Sequence, residues 1–245
     1  MNISGNQVLI TGGATGIGLA LAEAFLKTGN QVAVCGRRQE KLDEVRQAHP
    51  GIKTISADLA TAEGRAILIS QSLETLPKLN VIVNNAGIMQ SVKLNGANPV
   101  QLEKWLRDEI EIDCLAPILI TTQLLPHLEQ QASAAIVNVT TGLVFAPAAT
   151  YPFYAAAKAG LRAFTQSLRF QLKVSSVKVF EVLPPAVNTV LNQSNDPKIS
   201  PQQVAQETLR GLEKEMSEIK VGQSKILAVL SRLSPGLAYS MINGK

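Results

Sequence analysis

The 245-residue sequence is poor in the residues that hold disulfide-rich or metal-binding proteins together. It contains only two cysteines and two histidines, and aromatic residues make up 4% of the chain. Cys35 and Cys114 are far apart in apolar segments, which favours two free thiols in a reducing compartment over the alternative of a disulfide. His49 and His127 have no partner at metal-ligand spacing, so we predict no metal site.

Long apolar runs are also absent. No uninterrupted apolar segment approaches the roughly 18 to 20 residues that span a bilayer, and the start MNISGNQ lacks the basic and apolar regions of a secretory signal. We therefore expect a cytoplasmic location. With 46% hydrophobic and 17% charged residues, the chain can bury a core, which excludes intrinsic disorder.

Excess basic charge is confined to the last part of the chain. The sequence has 23 Lys and Arg against 19 Asp and Glu. Residues 219–245 contain four of these basic residues and no acid, so the preceding residues carry nineteen charges of each sign. A neutral body argues against a basic groove for nucleic acid, and we predict no nucleic-acid partner.

Short apolar runs alternate with longer helical patterns. Runs of four to seven residues that are apolar on both faces are typical of parallel strands covered by helices on both sides. We therefore predict an α/β fold in which a Rossmann-type, doubly wound parallel sheet of about seven strands spans residues 1–245 as a single domain. The predicted strands are Val8–Thr11, Val32–Cys35, Ile52–Ala57, Val81–Asn84, Ala135–Thr140, Val177–Leu183 and a last one within 218–222.

A glycine-rich turn follows the first strand and opens an amphipathic helix at residues 16–28. The segment reads TGGATGIG over residues 11–18. Glycines permit a tight turn and let the backbone approach a pyrophosphate, whose charge then lies at the helix N-terminus. We predict that this turn binds a dinucleotide through Gly12, Thr15, Gly16, Ile17 and Gly18.

The second strand ends in Gly36, Arg37 and Arg38, where a partner for the cofactor ribose is expected. An acidic residue there would accept a hydrogen bond from the 2′-hydroxyl of NAD, whereas two guanidinium groups are suited to binding the 2′-phosphate of NADP(H). The cofactor prediction is therefore NADP(H) rather than NAD(H). The alternative is that both arginines are simply solvated at a helix start.

Polar signals also follow the third and fourth strands. Asp58 and Leu59 come after the third, and the Asp58 carboxylate could accept from an adenine amine. Asn84 precedes a run of Asn85, Ala86 and Gly87 after the fourth. Taken alone, the run at residues 84–87 could be only a turn that ends the strand.

Tyr154 and Lys158 form the candidate catalytic pair. Residues four apart share one helix face, so an ammonium beside the phenol is expected to lower the phenol pKa and make it a proton carrier. A carbonyl receiving hydride needs a second hydrogen-bond donor. A hydroxyl at the end of the fifth strand can supply it, and Thr140 and Thr141 are the candidates.

These motifs, over residues 8–189, resemble the short-chain dehydrogenase/reductase family in type and order. The resemblance implies that Tyr154 is the general acid and base, that Lys158 binds ribose and tunes Tyr154, and that Thr141 replaces a serine which orients the substrate. Asp113 occupies the position of the asparagine that helps hold a water beside the lysine, and it is either a relay residue or a buried partner of Lys158.

The run PPAVNT at residues 184–189 is similar to the family's nicotinamide-binding P-G-x-V-x-T, with Pro185 in place of glycine. The resemblance assigns Pro184, Val187 and Thr189 to the cofactor site. It also places Asp58, Leu59 and residues 85–87 there, with Asn84 and Asn85 mainly supporting the sheet edge. The double proline, EIKVGQSKIL and SRLSP look more like the DltE-like oxidoreductase subgroup.

The resemblance implies a reductase or dehydrogenase that acts on a small carbonyl or alcohol substrate, and a homodimer or homotetramer built on helices near 105–128 and 154–172. Two alternatives stay open. One is an enoyl reductase using Tyr151, seven residues before Lys158, and the other is a sensor that binds NADP(H) without turnover.

Two segments lie outside these motifs. Residues 188–200 are polar and turn-rich, which predicts a substrate lid. Residues 219–245 form a basic, apolar extension that packs over the substrate site or across a dimer, or else attaches peripherally to an anionic membrane, the less favoured alternative. Its helical stripe comprises Ile226, Val229, Leu230, Leu233 and Leu237, and Pro235 argues against one long helix.

Overall fold

The computed structural model describes residues 1–192 and 198–244, in which strands and helices alternate. Seven strands form one parallel sheet. In chain order they are β1 (Gln7–Thr11), β2 (Gln31–Gly36), β3 (Ile52–Ser56), β4 (Val81–Asn84), β5 (Ala134–Val139), β6 (Val177–Leu183) and β7 (Glu218–Lys220). The strand order is β3-β2-β1-β4-β5-β6-β7, and every pairing is parallel.

Helices cover both faces of the sheet. They are α1 (Gly16–Lys27), α2 (Gln39–Ala48), α3 (Ala62–Thr75), α4 (Pro99–Ile110), α5 (Ala116–Leu128), α6 (Pro152–Gln171), α7 (Pro201–Glu213), α8 (Ser224–Leu233) and α9 (Pro235–Asn243). A π-helical turn, Glu111–Leu115, joins α4 to α5, and a 3-10 turn, Gly142–Val144, follows β5.

Two apolar cores lie on the two faces of the sheet because side chains alternate along each strand. Val8 and Ile10 of β1 pack in one core with α1, α2 and α7, whereas Leu9 packs in the other with α3, α5 and α6. Every residue of β5 is buried, as expected for a central parallel strand. The predicted doubly wound α/β sheet is confirmed.

The sheet reverses its winding at β1, which pairs with β2 on one side and with β4 on the other. In such sheets the crevice beyond the carboxyl ends of the strands at this point is the usual ligand site. The segments after β1, β2, β4, β5 and β6, which carry the predicted motifs, therefore converge there.

The C-terminal extension forms two short helices rather than one stripe. The chain leaves helical geometry at Ser234, which has φ −148°, because Pro235 begins a new helix. Leu237 thus belongs to α9, and the predicted stripe is divided. In residues 1–192 and 198–244, no helix is both long and apolar enough to cross a membrane.

The basic charge of the extension is partly paired with acids. Lys225 lies 2.7 Å from a carboxylate oxygen of Glu207 in α7, and Lys220 lies 2.7 Å from Glu218. Charges that are separate in sequence therefore meet in the fold.

The predicted lid is described in part. Residues 188–192 and 198–200 flank the stretch 193–197, which lies outside the described residues. Val187 and Ile199 form a parallel bridge, so the two ends of the segment are held together. The lid function stays a prediction.

Candidate active site

The glycine turn brings backbone close to the cavity at the switch point. Gly12 has φ +64° and Gly16 has φ +56°, a region that favours glycine. A Cβ on Gly12 would lie 2.8 Å from the Cα of Ala86. The first turn of α1 carries no acid, and its N-cap, Thr15, makes no capping bond with its side chain. The turn therefore leaves the helix N-terminus available to an anion.

Gly18 differs from the other predicted turn residues because it does not line the cavity. A Cβ there would lie 2.3 Å from the carbonyl oxygen of Gly12 and 2.5 Å from Nδ2 of Asn85. Gly18 is buried and allows close packing under the turn, so its assignment as a cofactor contact is corrected to a supporting role. Gly12, Thr15, Gly16 and Ile17 do line the cavity.

Asn84 and Asn85 connect neighbouring elements at the sheet edge. Asn85 Nδ2 donates to the carbonyl oxygens of Thr11 and Gly12, at 3.0 and 3.2 Å. Asn84 Nδ2 donates to Asn138 Oδ1 of β5 at 2.8 Å. Both therefore have the supporting role expected of them, while residues 85–87 also line the cavity.

Arg37 and Arg38 lie at the opposite end of the cavity from the predicted catalytic pair. Both are exposed, and neither forms an ion pair with a residue that the structure describes. Lys41, one turn into α2, lines the same end, although its Nζ lies 2.7 Å from Glu44. The sequence motifs did not single out Lys41. Asp58 and Leu59 line the cavity beside these cations.

Tyr154 and Lys158 lie side by side in the first turns of α6. Tyr154 is 8% exposed and Lys158 is 3% exposed. Lys158 Nζ lies 5.8 Å from the centre of the Tyr154 ring and donates to the carbonyl oxygen of Val139 at 3.2 Å. Tyr151 lies at the helix start and is half-buried. The lysine is thus held against the ring of Tyr154.

Thr141 and Thr140 differ in what their hydroxyl groups do. Thr141 Oγ1 accepts from the backbone N–H of Leu143 at 3.2 Å, and its own proton points toward the oxygen of Tyr154. Thr140 Oγ1 donates to Glu181 Oε1 at 2.6 Å. Thr141 is therefore the hydroxyl suited to a substrate oxygen, and Thr140 is not.

Asp113 lies behind Lys158 rather than in the cavity lining. It is fully buried in the π-helical turn, with Oδ1 3.1 Å from Lys158 Nζ and Oδ2 accepting from the N–H of Ile88 at 3.2 Å. Burial raises its pKa to about 6, although Lys158 opposes the rise. Asp113 was expected to be either a relay residue or a buried partner of Lys158. The geometry shows the buried partner.

A second buried acid, Glu109, lies close to Asp113. Its Oε1 accepts from the N–H of Gln90 at 2.6 Å, and its Oε2 has no hydrogen-bond partner in residues 1–192 and 198–244. Burial raises its pKa to about 7, and the charge of Asp113 adds to the rise. The sequence motifs missed Glu109 because a glutamate within an amphipathic helix resembles any solvated charge.

The pKa of Tyr154 moves in the direction opposite to the prediction. Burial raises it well above its ordinary value, and the charges of Asp113 and Glu109 add to the rise, while Thr141 opposes it. The paired carboxylate of Asp113 offsets the nearby ammonium, so the phenol remains protonated at neutral pH.

The segment after β6 closes the cavity over the glycine turn. Pro184, Val187 and Thr189 line the cavity, and a Cβ on Gly16 would lie 3.0 Å from Cγ2 of Thr189. The carbonyl oxygen of Pro184 accepts from the N–H of Gly142 at 2.8 Å. This bond ties the segment to the strand end that carries Thr141.

All of these segments surround one cavity of about 980 Å³. Its far wall comes from residues that the motifs did not predict. Gly142 has no side chain, and this lets α8 approach closely, since a Cβ at this position would lie 2.4 Å from Ser224 Oγ. The extension therefore packs over the site, one of the arrangements expected for it. The additional lining residues are Leu143, Gln223, Ser224, Leu227, Met241 and Ile242.

A family comparison agrees with this geometry. The family model described as short chain dehydrogenase matches residues 6–200. The chain belongs to the short-chain dehydrogenase family. A Bacillus subtilis relative with the name uncharacterized oxidoreductase DltE is 42% identical over 227 residues, which cover 89% of each chain. This short-chain dehydrogenase is therefore a DltE-like oxidoreductase.

Solved structures share the fold across nearly the whole chain. A short chain dehydrogenase from Burkholderia cenocepacia, in complex with NADP, has a TM-score of 0.86 at 23% identity and covers 99% of each chain. A Burkholderia phymatum short chain dehydrogenase/reductase, in complex with NAD, has a TM-score of 0.84 at 17% identity and covers 100% of this chain and 98% of its own. At these identities the likeness shows the fold of this dehydrogenase.

Proposed function

We propose that this short-chain dehydrogenase is an NADP(H)-dependent oxidoreductase that interconverts a carbonyl compound and its alcohol. The supporting observation is that the Tyr154 phenol and the Thr141 hydroxyl line the same cavity as the glycine turn. Lys158 lies against the phenol. One cavity can thus hold a dinucleotide and a substrate oxygen together.

The residues of the cavity fit a dinucleotide phosphate. Gly12 and Gly16 have positive φ, and the N-terminus of α1 has no acid in its first turn, so backbone N–H groups can meet a pyrophosphate. Arg37 and Arg38 are available for a 2′-phosphate. A bound nicotinamide supplies the hydride during reduction and accepts it during oxidation.

Proton transfer belongs to Tyr154. Its raised pKa keeps the phenol protonated at neutral pH, so it is poised to donate to a carbonyl oxygen. Thr141 donates a second hydrogen bond to the same oxygen and stabilises its developing charge. Lys158, held by Asp113 and by the carbonyl oxygen of Val139, keeps a positive charge next to the ring.

The experiment is NADPH consumption with a panel of aldehydes, ketones and enoyl esters. We expect carbonyl compounds to be reduced, and Tyr154→Phe to lower kcat by about 100-fold to 10,000-fold, the range for loss of a general acid. Tyr239→Phe is the matched control, because Tyr239 is 51% exposed on α9 and should leave turnover unchanged. Carbonyl turnover that survives Tyr154→Phe would refute the mechanism.

The same panel addresses the two alternatives. Reduction of enoyl esters alone, abolished by Tyr151→Phe, would identify an enoyl reductase. Binding of NADPH without consumption in any reaction would identify a sensor. We favour carbonyl reduction because Lys158 lies against the Tyr154 ring, while Tyr151 lies at the helix start.

The cofactor preference has its own test. We expect NADPH to bind more tightly than NADH, and Arg37→Ala to weaken NADPH binding by about tenfold, since a charge-assisted hydrogen bond is lost. Binding of NADH should not change. Arg210→Ala, on the exposed face of α7, is the control. Equal affinities of the wild type for both cofactors would remove the 2′-phosphate argument.

Membership of the family also leads us to propose a homodimer or homotetramer formed through α4, α5 and α6. Light scattering after gel filtration measures the mass directly. A monomer at micromolar concentration would contradict this proposal.

A further inference from the structure

The cavity has two chemically different ends. All of its charged lining residues lie at the cofactor end or beneath Tyr154: Arg37, Arg38, Lys41, Asp58 and Lys158. Beyond Tyr154, the described lining residues are neutral. A carboxylate or phosphate on the substrate would lose its hydration there without meeting an opposite charge, which is costly.

The neutral end is mainly apolar. The 3-10 turn, the segment after β6 and the two C-terminal helices each contribute aliphatic side chains to it. Polar neutral groups such as Gln223 and Ser224 are a minority of the wall. The aliphatic lining residues are Leu143, Val190, Leu191, Leu227, Met241 and Ile242.

The apolar wall continues from the interior to the surface. Leu227 is 5% exposed and forms the inner part, whereas Met241 is 49% exposed and Val190 is 78% exposed. Leu237, on the same short helix as Met241, is 57% exposed. A chain that leaves the catalytic hydroxyls therefore meets apolar side chains both inside the cavity and at its opening.

We propose that the substrate is an uncharged carbonyl compound with an extended aliphatic chain. Its carbonyl lies at Tyr154 and Thr141, and its chain runs past Leu227 and out across Met241. This inference rests on the proposed function, because it takes Tyr154 and Thr141 as the place of the reacting oxygen. The C-terminal extension thereby becomes the part of the molecule that recognises the chain.

The test is a chain-length series of unbranched aldehydes, from butanal to decanal, with NADPH. Each buried methylene should raise kcat/KM by about threefold to fourfold, as expected from the free energy of burying one CH₂. Met241→Ser should lower kcat/KM for decanal by about tenfold and so reduce the increase along the series. Aldehydes that carry a terminal carboxylate should be poor substrates.

Met216→Ser is the matched control. Met216 is 48% exposed, nearly the same as Met241, but it lies in the loop between α7 and β7 and is not part of the cavity lining. It should leave the whole series unchanged. A kcat/KM that does not depend on chain length, or an equal effect of both methionine variants, would overturn the inference.

Binding of unreactive n-alkanamides in the presence of NADPH separates this inference from the proposed function. If affinity rises with chain length and falls with Met241→Ser while no aldehyde is reduced, the aliphatic site stands and the proposed function fails. If aldehydes are reduced while amide affinity is independent of length, the proposed function stands and the aliphatic site fails.

Discussion

Helix α6 carries two cations one turn apart, Lys158 and Arg162, and each is paired with a fully buried carboxylate. Lys158 lies 3.1 Å from Asp113, and Arg162 lies 2.6 Å from Glu181. Both carboxylates are 0% exposed. The two pairs differ in how completely their polar atoms are satisfied, and this difference separates a structural cluster from the one proposed to be catalytic.

We call the Arg162 cluster closed because its polar atoms are bonded to several partners. One guanidinium nitrogen meets Glu181 and the other lies 2.8 Å from Glu218, while Phe145 stacks against the guanidinium at 4.9 Å. Glu181 also accepts from the Thr140 hydroxyl. A planar guanidinium can serve two carboxylates at once, so this cluster joins α6 to β6 and β7.

The Lys158 cluster is less completely satisfied. Its ammonium donates to the carbonyl oxygen of Val139 and lies at ion-pair distance from Asp113, whose Oδ1 accepts no hydrogen bond from the described residues. Glu109, on the same side, keeps one carboxyl oxygen without a partner in the described parts of the chain. A buried carboxyl such as that of Glu109 titrates near neutral pH, so its ionisation can change the charge around Tyr154.

Breaking the closed cluster should have the largest effect on stability. Glu181→Ala leaves the Arg162 guanidinium short of a buried partner, and we expect a loss of about 3 kcal/mol in the free energy of unfolding, measured with urea. Glu103→Ala breaks an exposed pair with Arg107 and should change stability by less than about 0.5 kcal/mol. Equal losses would show that the closed cluster has no special structural role.

Changing the catalytic cluster should move the pH profile instead. Asp113 raises the pKa of Tyr154, so Asp113→Asn should shift the rising limb of alcohol oxidation to lower pH, by about one pH unit. Asp108→Asn, in an exposed pair with Lys104, is the control and should leave the profile in place. A shift to higher pH would contradict the assignment.

Glu109→Gln should shift the pH profile of alcohol oxidation least, in the same direction as Asp113→Asn and by about half a pH unit.

The Glu109→Gln substitution also changes how the stability of the protein depends on pH. Burial raises the pKa of Glu109 from 4.5 to about 7, so the wild type loses stability as the pH rises through this interval and the acid ionises. Relative to the wild type, the Gln variant should gain stability between about pH 5 and about pH 8, measured with urea. If the free energies of unfolding of the wild type and the Gln variant depend on pH in the same way, this prediction is wrong.

The fold followed from local patterns because strands buried on both faces have a distinctive apolar composition. The run predicted at Val177–Leu183 is the observed β6, and the helix predicted at residues 16–28 ends one residue earlier. The last strand, Glu218–Lys220, is two residues shorter than the segment predicted for it, and β3, at the other edge, is one residue shorter than its predicted run. Edge strands carry weaker signals because one side lacks a neighbour.

The site was predicted only where its residues form short motifs. Gly12 and Arg37 directly follow strands, Tyr154 and Lys158 share one helix face, and all four line the cavity. Glu109, Leu227 and Met241 belong to helices whose local sequence gives no sign of the cavity. The pKa of the phenol could not be predicted either, since it depends on burial and on two carboxylates from another element.

The amino-acid sequence by itself therefore determined the α/β fold, the order of the motifs and the residue types at the cofactor turn, because strand burial and tight turns are local properties. Only the tertiary structure decided that Asp113 offsets the charge of Lys158, that the Thr140 hydroxyl is bonded to Glu181 while that of Thr141 faces Tyr154, and that α8 and α9 wall the cavity. These features depend on contacts between residues that are distant along the chain, and burial and hydrogen-bond partners exist only once those residues meet.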